Sequence, residues 1–253
     1  MSNYEEATPI HITISTDKAY LIPLGDIHLG AEQVNYDKLK GYIDWVKSNK
    51  YAYIFLMGDI FDVATRDSPT SPFEQKININ EAMEEMTEII KPVRKRVIGC
   101  IEGNHERRLK KYAGLDVLRV WCESNHIRYC GHSAAILFSV KNVDYTFFAH
   151  HSTGGGQTIG GKLNRIAKLM SVFADADCYL GGHNHSKALG EDAIAYLDKR
   201  DMKIRYRRIL YVDCGSFLEY PSSYAEAAAL PPSHTGAPRI RMSGIKKDLH
   251  VSF

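Results

Sequence analysis

Three apolar runs in the first half of the chain each stop at a glycine that is followed by a polar residue. The segments KAYLIPLGD (18–26) and YAYIFLMGD (51–59) end in Gly-Asp, and RVIGCIEGN (96–104) ends in Gly-Asn. Short continuous apolar runs are typical of strands that are buried on both faces of a sheet. We therefore predict three buried strands, each with a polar side chain at its carboxyl end.

Segments with helical periodicity alternate with these strands. Residues 35–49 place four apolar residues on one face, and Asn35 precedes them as a cap. Residues 79–95 and 115–127 also have a helical pattern, and Pro92 is expected to end or kink the first of these two helices. This alternation of strands and helices predicts an α/β fold.

The second half of the chain is richer in strand patterns. AAILFSV (134–140) and VDYTFFAHH (143–151) are separated by two residues, which predicts an antiparallel hairpin. Residues 203–217 and 238–253 are also strand-like. No internal repeat or low-complexity tract interrupts the chain, so we expect one domain over residues 1–253.

Composition narrows the choice of partners. With 32 basic and 30 acidic residues in a chain of 253, the formal charge is only +2, so no global field favours nucleic acid or an anionic membrane. Five scattered cysteines without a CxxC spacing argue against a disulfide framework or a zinc knuckle. The polar beginning of the chain and the absence of a long apolar run lead us to expect a cytoplasmic protein with no membrane partner.

Each predicted strand end carries groups that can bind a metal. In chain order these groups are Asp26 and His28, Asp59, Asn104 with His105, His150 or His151, and His183 with His185. In open α/β folds the carboxyl ends of strands converge on one edge, so the groups can meet there. Taken alone, any Asp or Asn among them could equally be a turn or cap residue, which is the commoner role after a strand.

The mixture of ligand types indicates the kind of metal. Carboxylate and amide oxygens together with imidazole nitrogens suit manganese, iron, zinc, cobalt or nickel, whereas magnesium or calcium alone would call for oxygens. Seven or eight ligands are too many for one ion. We therefore predict two divalent ions, with manganese as first choice, about 3.5 to 4 Å apart and sharing one aspartate as a bridge.

The order GDxH, GDxxD, GNHE, a later strand-end histidine and GHxH, over residues 25–185, resembles the calcineurin-like metallophosphoesterase superfamily. The resemblance implies a two-layer β-sandwich flanked by helices, in four layers α/β/β/α, with a dinuclear metal centre at the sheet edge. Residues 186–253 would then form a strand-rich C-terminal part of the same domain.

The resemblance also implies a role for each motif residue. One metal would be held by Asp26, His28, Asp59 and His185, and the other by Asp59, Asn104, His150 and His183. Asp59 would bridge the two metals. We choose His150 over its neighbour because the ligand is expected to be the first polar residue after the strand, and His151 is left as a contact to the ligands or the substrate.

His105 matches the histidine of the family that binds no metal and protonates the leaving group, and Glu106 would orient it. Arg107 and Arg108 follow directly and suit phosphate recognition, although they are equally compatible with the solvated face of a short helix. We expect the glycine-rich residues 152–162 to form a wall of the site. The turn-rich residues 65–76 and 221–238 are expected to be irregular and to lie on the surface or at the cleft rim.

Three functions remain open at this point. The first is a phosphodiesterase or nuclease that uses a metal-bridged hydroxide, with nucleic acid or nucleotides as candidate substrates. The second is a phosphomonoesterase on small phosphoesters or phosphoprotein, and the third is a non-catalytic metal-binding scaffold. A full ligand set and an intact His105 favour an enzyme, and the oligomeric state cannot be read from the chain.

Overall fold

The strands of the protein form two β-sheets, and most of the strands whose ends carry the predicted site are parallel neighbours. The computed structural model describes residues 9–65, 75–152, 156, 158–221, 226 and 231–253. In the order of its strands, the first sheet contains β1 (Ile10–Ile14), β5 (Ser133–Val140), β6 (Val143–His150), β7 (Cys178–Gly181), β9 (Lys203–Cys214) and β8 (Lys187–Asp198). The second contains β11 (Leu249–Ser252), β10 (Arg239–Ser243), β2 (Lys18–Leu24), β3 (Ala52–Leu56) and β4 (Val97–Cys100).

Parallel pairing places the polar ends of several strands at one place. Strands β2, β3 and β4 run parallel in the second sheet. Strands β6, β7 and β9 run parallel in the first. Because the carboxyl ends of parallel strands lie at the same edge, the segments that follow β2, β3, β4, β6 and β7 meet at one end of the molecule, which we call the site edge.

Both faces of the second sheet are buried, which explains its continuous apolar runs. Successive residues of a strand point to opposite faces. Leu21 and Phe55 therefore face the first sheet and contribute to the core between the sheets. Ile22 and Ile54 point the other way, into a core formed with the helices.

Helices cover the outer faces of both sheets. The helices are α1 (Tyr36–Ser48), α2 (Ile79–Ile90), α3 (Asn104–Ala113), α4 (Val117–Ser124) and α5 (Ile159–Ala167), with short 3₁₀ helices at Lys91–Arg96 and Lys168–Ser171. Helices α1, α2 and α4 pack on the second sheet, and α5 packs on the first. The predicted β-sandwich flanked by helices is confirmed.

The local predictions are confirmed where the structure describes the residues. The Asn35 side chain caps α1 by accepting a hydrogen bond from the backbone N–H of Lys38 at 2.8 Å. Helix α2 ends before Pro92, and α4 is shorter than the predicted helix. Val140 pairs with Val143 across a two-residue turn, as expected for the hairpin. Most of the predicted loops 65–76 and 221–238 lies outside the described residues.

Replacing Phe138 by alanine should destabilise the protein by about 3 to 5 kcal/mol, because it leaves a cavity between the two sheets. The Phe138 ring is fully buried and lies 5.9 Å from the ring of Phe147, in an edge-to-face arrangement. Urea denaturation followed by circular dichroism measures the loss. Val172→Ala is the control, since Val172 is 70% exposed and its truncation should cost less than about 0.5 kcal/mol. Equal losses for the two variants would contradict the assignment of the core.

Candidate metal centre

The residues at the site edge hold unusual backbone conformations. Asp26, His28, Asp59, His183 and His185 have φ angles between 47° and 72°, in the left-handed region. Residues other than glycine adopt this region at a cost, and such residues cluster at functional sites. The turns that follow β2, β3 and β7 therefore use backbone strain to direct these side chains to a common point.

One group of ligand atoms lies between the turns that follow β2 and β7. The Nε2 atom of His185 is 3.2 Å from Oδ1 of Asp26 and 3.0 Å from Nε2 of His28. The Nε2 atom of His28 is 4.0 Å from the same Asp26 oxygen. These three atoms are close enough to bind one ion, and we call Asp26, His28 and His185 the first cluster.

A second group of ligand atoms lies beside the first. The Nε2 atom of His151 is 3.1 Å from Oδ2 of Asp59 and 3.2 Å from Oδ1 of Asn104. His183 completes this second cluster, and its ring centroid is 5.6 Å from that of His151. Asp59 also groups with His28 and His105, so its carboxylate lies between the two clusters.

The two neighbouring histidines at the end of β6 have different surroundings. His151 is buried, and its Nδ1 lies 2.7 Å from the carbonyl oxygen of Met57. When Nδ1 donates its proton to this oxygen, the other ring nitrogen, Nε2, faces Asp59 and can act as a ligand atom. His150 still belongs to β6, and its Nδ1 accepts a hydrogen bond from the backbone N–H of Ser152 at 2.8 Å. Because neighbouring residues on a strand point to opposite sides, only His151 faces the cluster. The geometry therefore favours His151 over the predicted His150 as the candidate ligand from β6.

Asp62, which the sequence analysis did not assign, holds His105. Oδ1 of Asp62 is 2.7 Å from Nδ1 of His105 and 3.6 Å from Nδ1 of His28. Burial favours neutral Asp62, but its hydrogen bonds with the two histidines outweigh burial and lower the pKa of the carboxyl group. Asp62 is the second aspartate of the GDxxD motif, so the motif itself carried the signal.

The charges of the site favour ionised carboxylates. Burial alone would raise the pKa of Asp59, but His151 and His105 lower it well below its usual range. Burial lowers the pKa of His105, and the neighbouring Asp59 and Asp62 outweigh burial and raise it. The carboxylates are therefore available as ligands, and the neighbouring Asp59 and Asp62 favour the protonated form of His105.

The role of Glu106 in orienting His105 stays a prediction, and the hydrogen bonds of its carboxylate are with backbone groups. As the third residue of α3, it accepts hydrogen bonds from the backbone N–H groups of Asp59, Ile60 and Phe61 at 3.1, 2.6 and 3.1 Å, and from that of Gly103 at 3.0 Å. Burial raises the pKa of Glu106 to about 7, and the nearby Asp59 adds to this rise. Glu106 thus joins the turn after β3 to the start of α3.

Two glycines allow these segments to approach. A Cβ atom on Gly103 would lie 2.1 Å from Oδ1 of Asp59, and one on Gly58 would lie 2.5 Å from the backbone nitrogen of Gly103. Gly58 also has a φ angle of 84°, which side chains rarely adopt. Any larger residue at either position would push Asp59 away from the cluster.

A cavity of about 270 Å³ opens onto the two clusters. One side is formed by Asn104, His105 and Arg108, and another by Lys162 and the turn that carries His183 and His185. The remaining wall comes from the C-terminal part of the chain, through Ser216, Leu218, Glu219, Tyr220, Pro231, Ser233, His234 and Thr235. The expectation of an irregular segment at the cleft rim agrees with this placement for the residues that the structure describes.

The two arginines after the GNHE motif have different surroundings. Arg108 lines the cavity, and its Nη1 lies 3.3 Å from Nδ1 of His105. Nε of Arg107 donates to the carbonyl oxygen of Gly103 at 3.2 Å, and Arg107 does not line the cavity. Of the glycine-rich wall predicted at residues 152–162, residues 153–155 and 157 lie outside the described residues, while Gly156 and Lys162 line the cavity.

Sequence reasoning missed two other residues near the clusters. Asp213, at the end of β9, accepts a hydrogen bond from the Ser186 hydroxyl at 2.6 Å, directly after His185. Burial raises the pKa of Asp213 to about 7. Its signal was the apolar run ILYVD, which ends in aspartate like those of β2 and β3. His234 also lines the cavity, and no local pattern marks it.

The fold and the site together define a class of metal-dependent hydrolase with clustered aspartate, asparagine and histidine ligands at the edge of a β-sandwich. The family model for calcineurin-like phosphoesterases matches residues 22–187, and the chain belongs to this family. That range contains both clusters and His105. No curated protein matches the chain. Among the helices that the structure describes, none combines the length and apolarity that a membrane span requires.

Glu106→Ala should lower the free energy of unfolding by at least about 3 kcal/mol, because it removes the acceptor of four buried backbone N–H groups. Urea denaturation of metal-free protein in the presence of a chelator measures this loss without a contribution from bound metal. Glu123→Ala serves as the control, since Glu123 is exposed on α4 and contacts Arg119 only at the surface. A Glu106→Ala midpoint equal to that of Glu123→Ala would show that the carboxylate does not hold the two segments together.

Proposed function

We propose that the protein is a phosphodiesterase that hydrolyses its substrate with two divalent metal ions. The position of Asp59 carries this proposal, because its carboxylate lies between two clusters of nitrogen and oxygen ligands. An ion on each side of Asp59 would use every group that the clusters provide. A single ion would leave at least three of them without a role.

The proposed ligands of one ion are Asp26, His28, Asp59 and His185, and those of the other are Asp59, Asn104, His151 and His183. The fit is supported by the ligand atoms within each cluster, which lie within 4.8 Å of one another. The mixed nitrogen and oxygen ligands suit manganese, iron, zinc, cobalt or nickel. Manganese is our first choice for loading the protein.

When bound, two such ions lower the pKa of water and neutralise the charge of the phosphate oxygens. The side chains of the protein supply the remaining functions. Because Asp62 occupies Nδ1 of His105, the proton of Nε2 is free to pass to the leaving oxygen. Nε2 of His105 is 4.0 Å from Oδ2 of Asp59, so it faces the place where the phosphate would bind.

The walls of the cavity favour a diester. Leu218, Tyr220 and Pro231 form an apolar and aromatic side, which can receive the second organic group of a diester. A monoester carries an additional negative charge, and among the described residues the lysine and arginine side chains that line the cavity are Arg108 and Lys162. Nζ of Lys162 donates to the backbone oxygen of Asn184 at 3.0 Å, so it is already engaged. Nucleotide diesters and nucleic acid are the candidate substrates.

The first test compares bis-p-nitrophenyl phosphate with p-nitrophenyl phosphate, on protein that is stripped of metal and refilled with manganese. We expect a higher kcat/KM for the diester. Preference for the monoester would overturn the diester proposal in favour of a phosphomonoesterase. Turnover of neither substrate by protein that holds two ions would favour a metal-binding scaffold.

His105→Ala should lower kcat by roughly 10²- to 10⁴-fold on an unactivated dinucleotide diester, because the leaving alkoxide then departs without a proton. Its effect on bis-p-nitrophenyl phosphate should be smaller, since nitrophenolate leaves readily without protonation. His105→Ala and the control variant His250→Ala should both hold the same amount of metal as the unmodified protein. His250 is an exposed histidine in β11. Equal losses on the two diesters would argue against proton donation by His105.

Asp59→Asn should reduce the metal content from two ions per chain to one or none, because it weakens the carboxylate shared by both clusters. Metal content by mass spectrometry after gel filtration measures this, and manganese should raise the melting temperature of the unmodified protein more than that of the variant. Asp144→Asn is the control, an exposed position at the end of the molecule opposite the site edge. Two ions retained by Asp59→Asn would exclude the bridging role.

A further inference from the structure

The β8–β9 hairpin extends well beyond the rest of its sheet. Cys178, the first residue of β7, pairs with Leu210, whereas β9 already begins at Lys203. The seven residues before Leu210 therefore extend about 23 Å past the neighbouring strand. We call residues 191–208 the arm. Because β7 and β9 run toward the site edge, the arm projects from the opposite end of the molecule.

One face of the arm continues the face that packs between the two sheets. Leu210 and Val212 of β9 lie in the core between the sheets. Residues 204, 206 and 208 share their face, because they are separated from Leu210 by even numbers of positions. The strand register adds Leu197 opposite Ile204, Ala195 opposite Tyr206 and Ala193 opposite Arg208. The face of the arm is therefore apolar for the same reason as the core that it extends.

The second sheet stops covering this face at Arg208. Nη1 of Arg208 donates to the carbonyl oxygen of Leu249 in β11 at 2.9 Å, and Nη2 donates to Glu191 at 2.6 Å. Beyond this point Ile204 is 68% exposed, Tyr206 is 75% exposed and Leu197 is 49% exposed. Within the described residues, these apolar side chains have no second sheet above them.

An isolated two-stranded ribbon is only marginally stable in water, and its outer strand β8 forms the edge of the sheet. We therefore expect another surface to pack on the exposed apolar face of the arm. That surface cannot be strongly charged, because the only charged residues that the arm places on this face, Arg208 and Glu191, are already paired with each other. On the opposite face, Arg205 pairs with Asp198 and Asp201 at 2.8 and 2.6 Å. Arg207 there pairs with Asp175 at 2.7 Å.

The strip is neutral and apolar, so a polyanion is excluded as its binding partner. The same strip on a second copy of the protein is also neutral and apolar, so it meets the requirements for a partner. We propose that the arm is a dimerisation surface, in which the Leu197–Ile204–Tyr206 strip of one copy packs on the same strip of a second copy about a twofold axis. Such an isologous contact places each apolar residue against the neutral, apolar surface that it requires. The two metal centres would lie at the far ends of the dimer and remain open to substrate.

The size of the strip sets the expected strength. Two strands about 10 Å wide in total and about 20 Å long present far less than the roughly 800 Å² per partner of a standard stable complex. We therefore expect a dimer that dissociates at micromolar concentrations. An obligate dimer would require a larger buried area.

Sedimentation velocity from about 1 µM to about 200 µM tests this proposal on the full chain. The unmodified protein should shift with concentration from its monomer mass of 28.5 kDa toward twice that mass. Ile204→Lys and Tyr206→Ser should raise the dissociation constant by at least about 100-fold, because lysine would be desolvated and serine removes the ring from the contact. Circular dichroism confirms that each variant is folded.

Val120→Lys is the matched control, because Val120 is 46% exposed on α4, over the other sheet. It should dimerise like the unmodified protein. A protein that stays monomeric at the highest concentration, or arm variants that dimerise as well as the control, would overturn the proposal. Metal content and diester hydrolysis should be unchanged in the arm variants, so the outcome is independent of the proposed function.

Discussion

The metal centre depends on the close approach of two backbone segments, the turn after β3 and the start of α3. Gly58 and Gly103 permit this approach because a side chain at either position would overlap the other segment. Glu106 then fixes it with four backbone hydrogen bonds. Asp59 lies directly in the joined region, and its Oδ1 accepts from the backbone N–H of His105 at 2.8 Å. The proposed bridging carboxylate and the proposed proton donor are thus positioned by a single contact.

Electrostatic compensation allows so many polar groups to be buried together. Asp26, Asp59 and Asp62 are held ionised by the histidines around them, and these histidines are in turn oriented by carboxylates or carbonyl groups. A buried charge without such partners would cost several kcal/mol. The left-handed backbone at five site residues adds a further cost. The burial of apolar side chains in the layers on either side of the sheets offsets both costs.

The C-terminal part of the chain has two distinct roles at opposite ends of the molecule. Near the site edge, Leu218, Tyr220 and His234 form the wall of the cavity and give it shape and polarity. At the other end, β8 and β9 extend as an arm whose apolar face lacks a covering layer within the described residues. One pair of strands therefore connects the candidate ligand His185 with a surface proposed for self-association, and the two lie far apart.

The sequence by itself determined the α/β alternation, the cap of α1, the hairpin after β5 and the convergence of the motif residues on one edge. These features follow from periodicity, turn chemistry and the direction of parallel strands, all of which are local or topological. Only the tertiary structure decided that His151 faces Asp59, because strand β6 continues for one residue more than the apolar run indicates. It also decided that Asp62 holds His105, that Glu106 binds backbone groups, and that His234 reaches the cavity. These contacts join residues far apart in the chain, and their partners are chosen by packing, which no local pattern records.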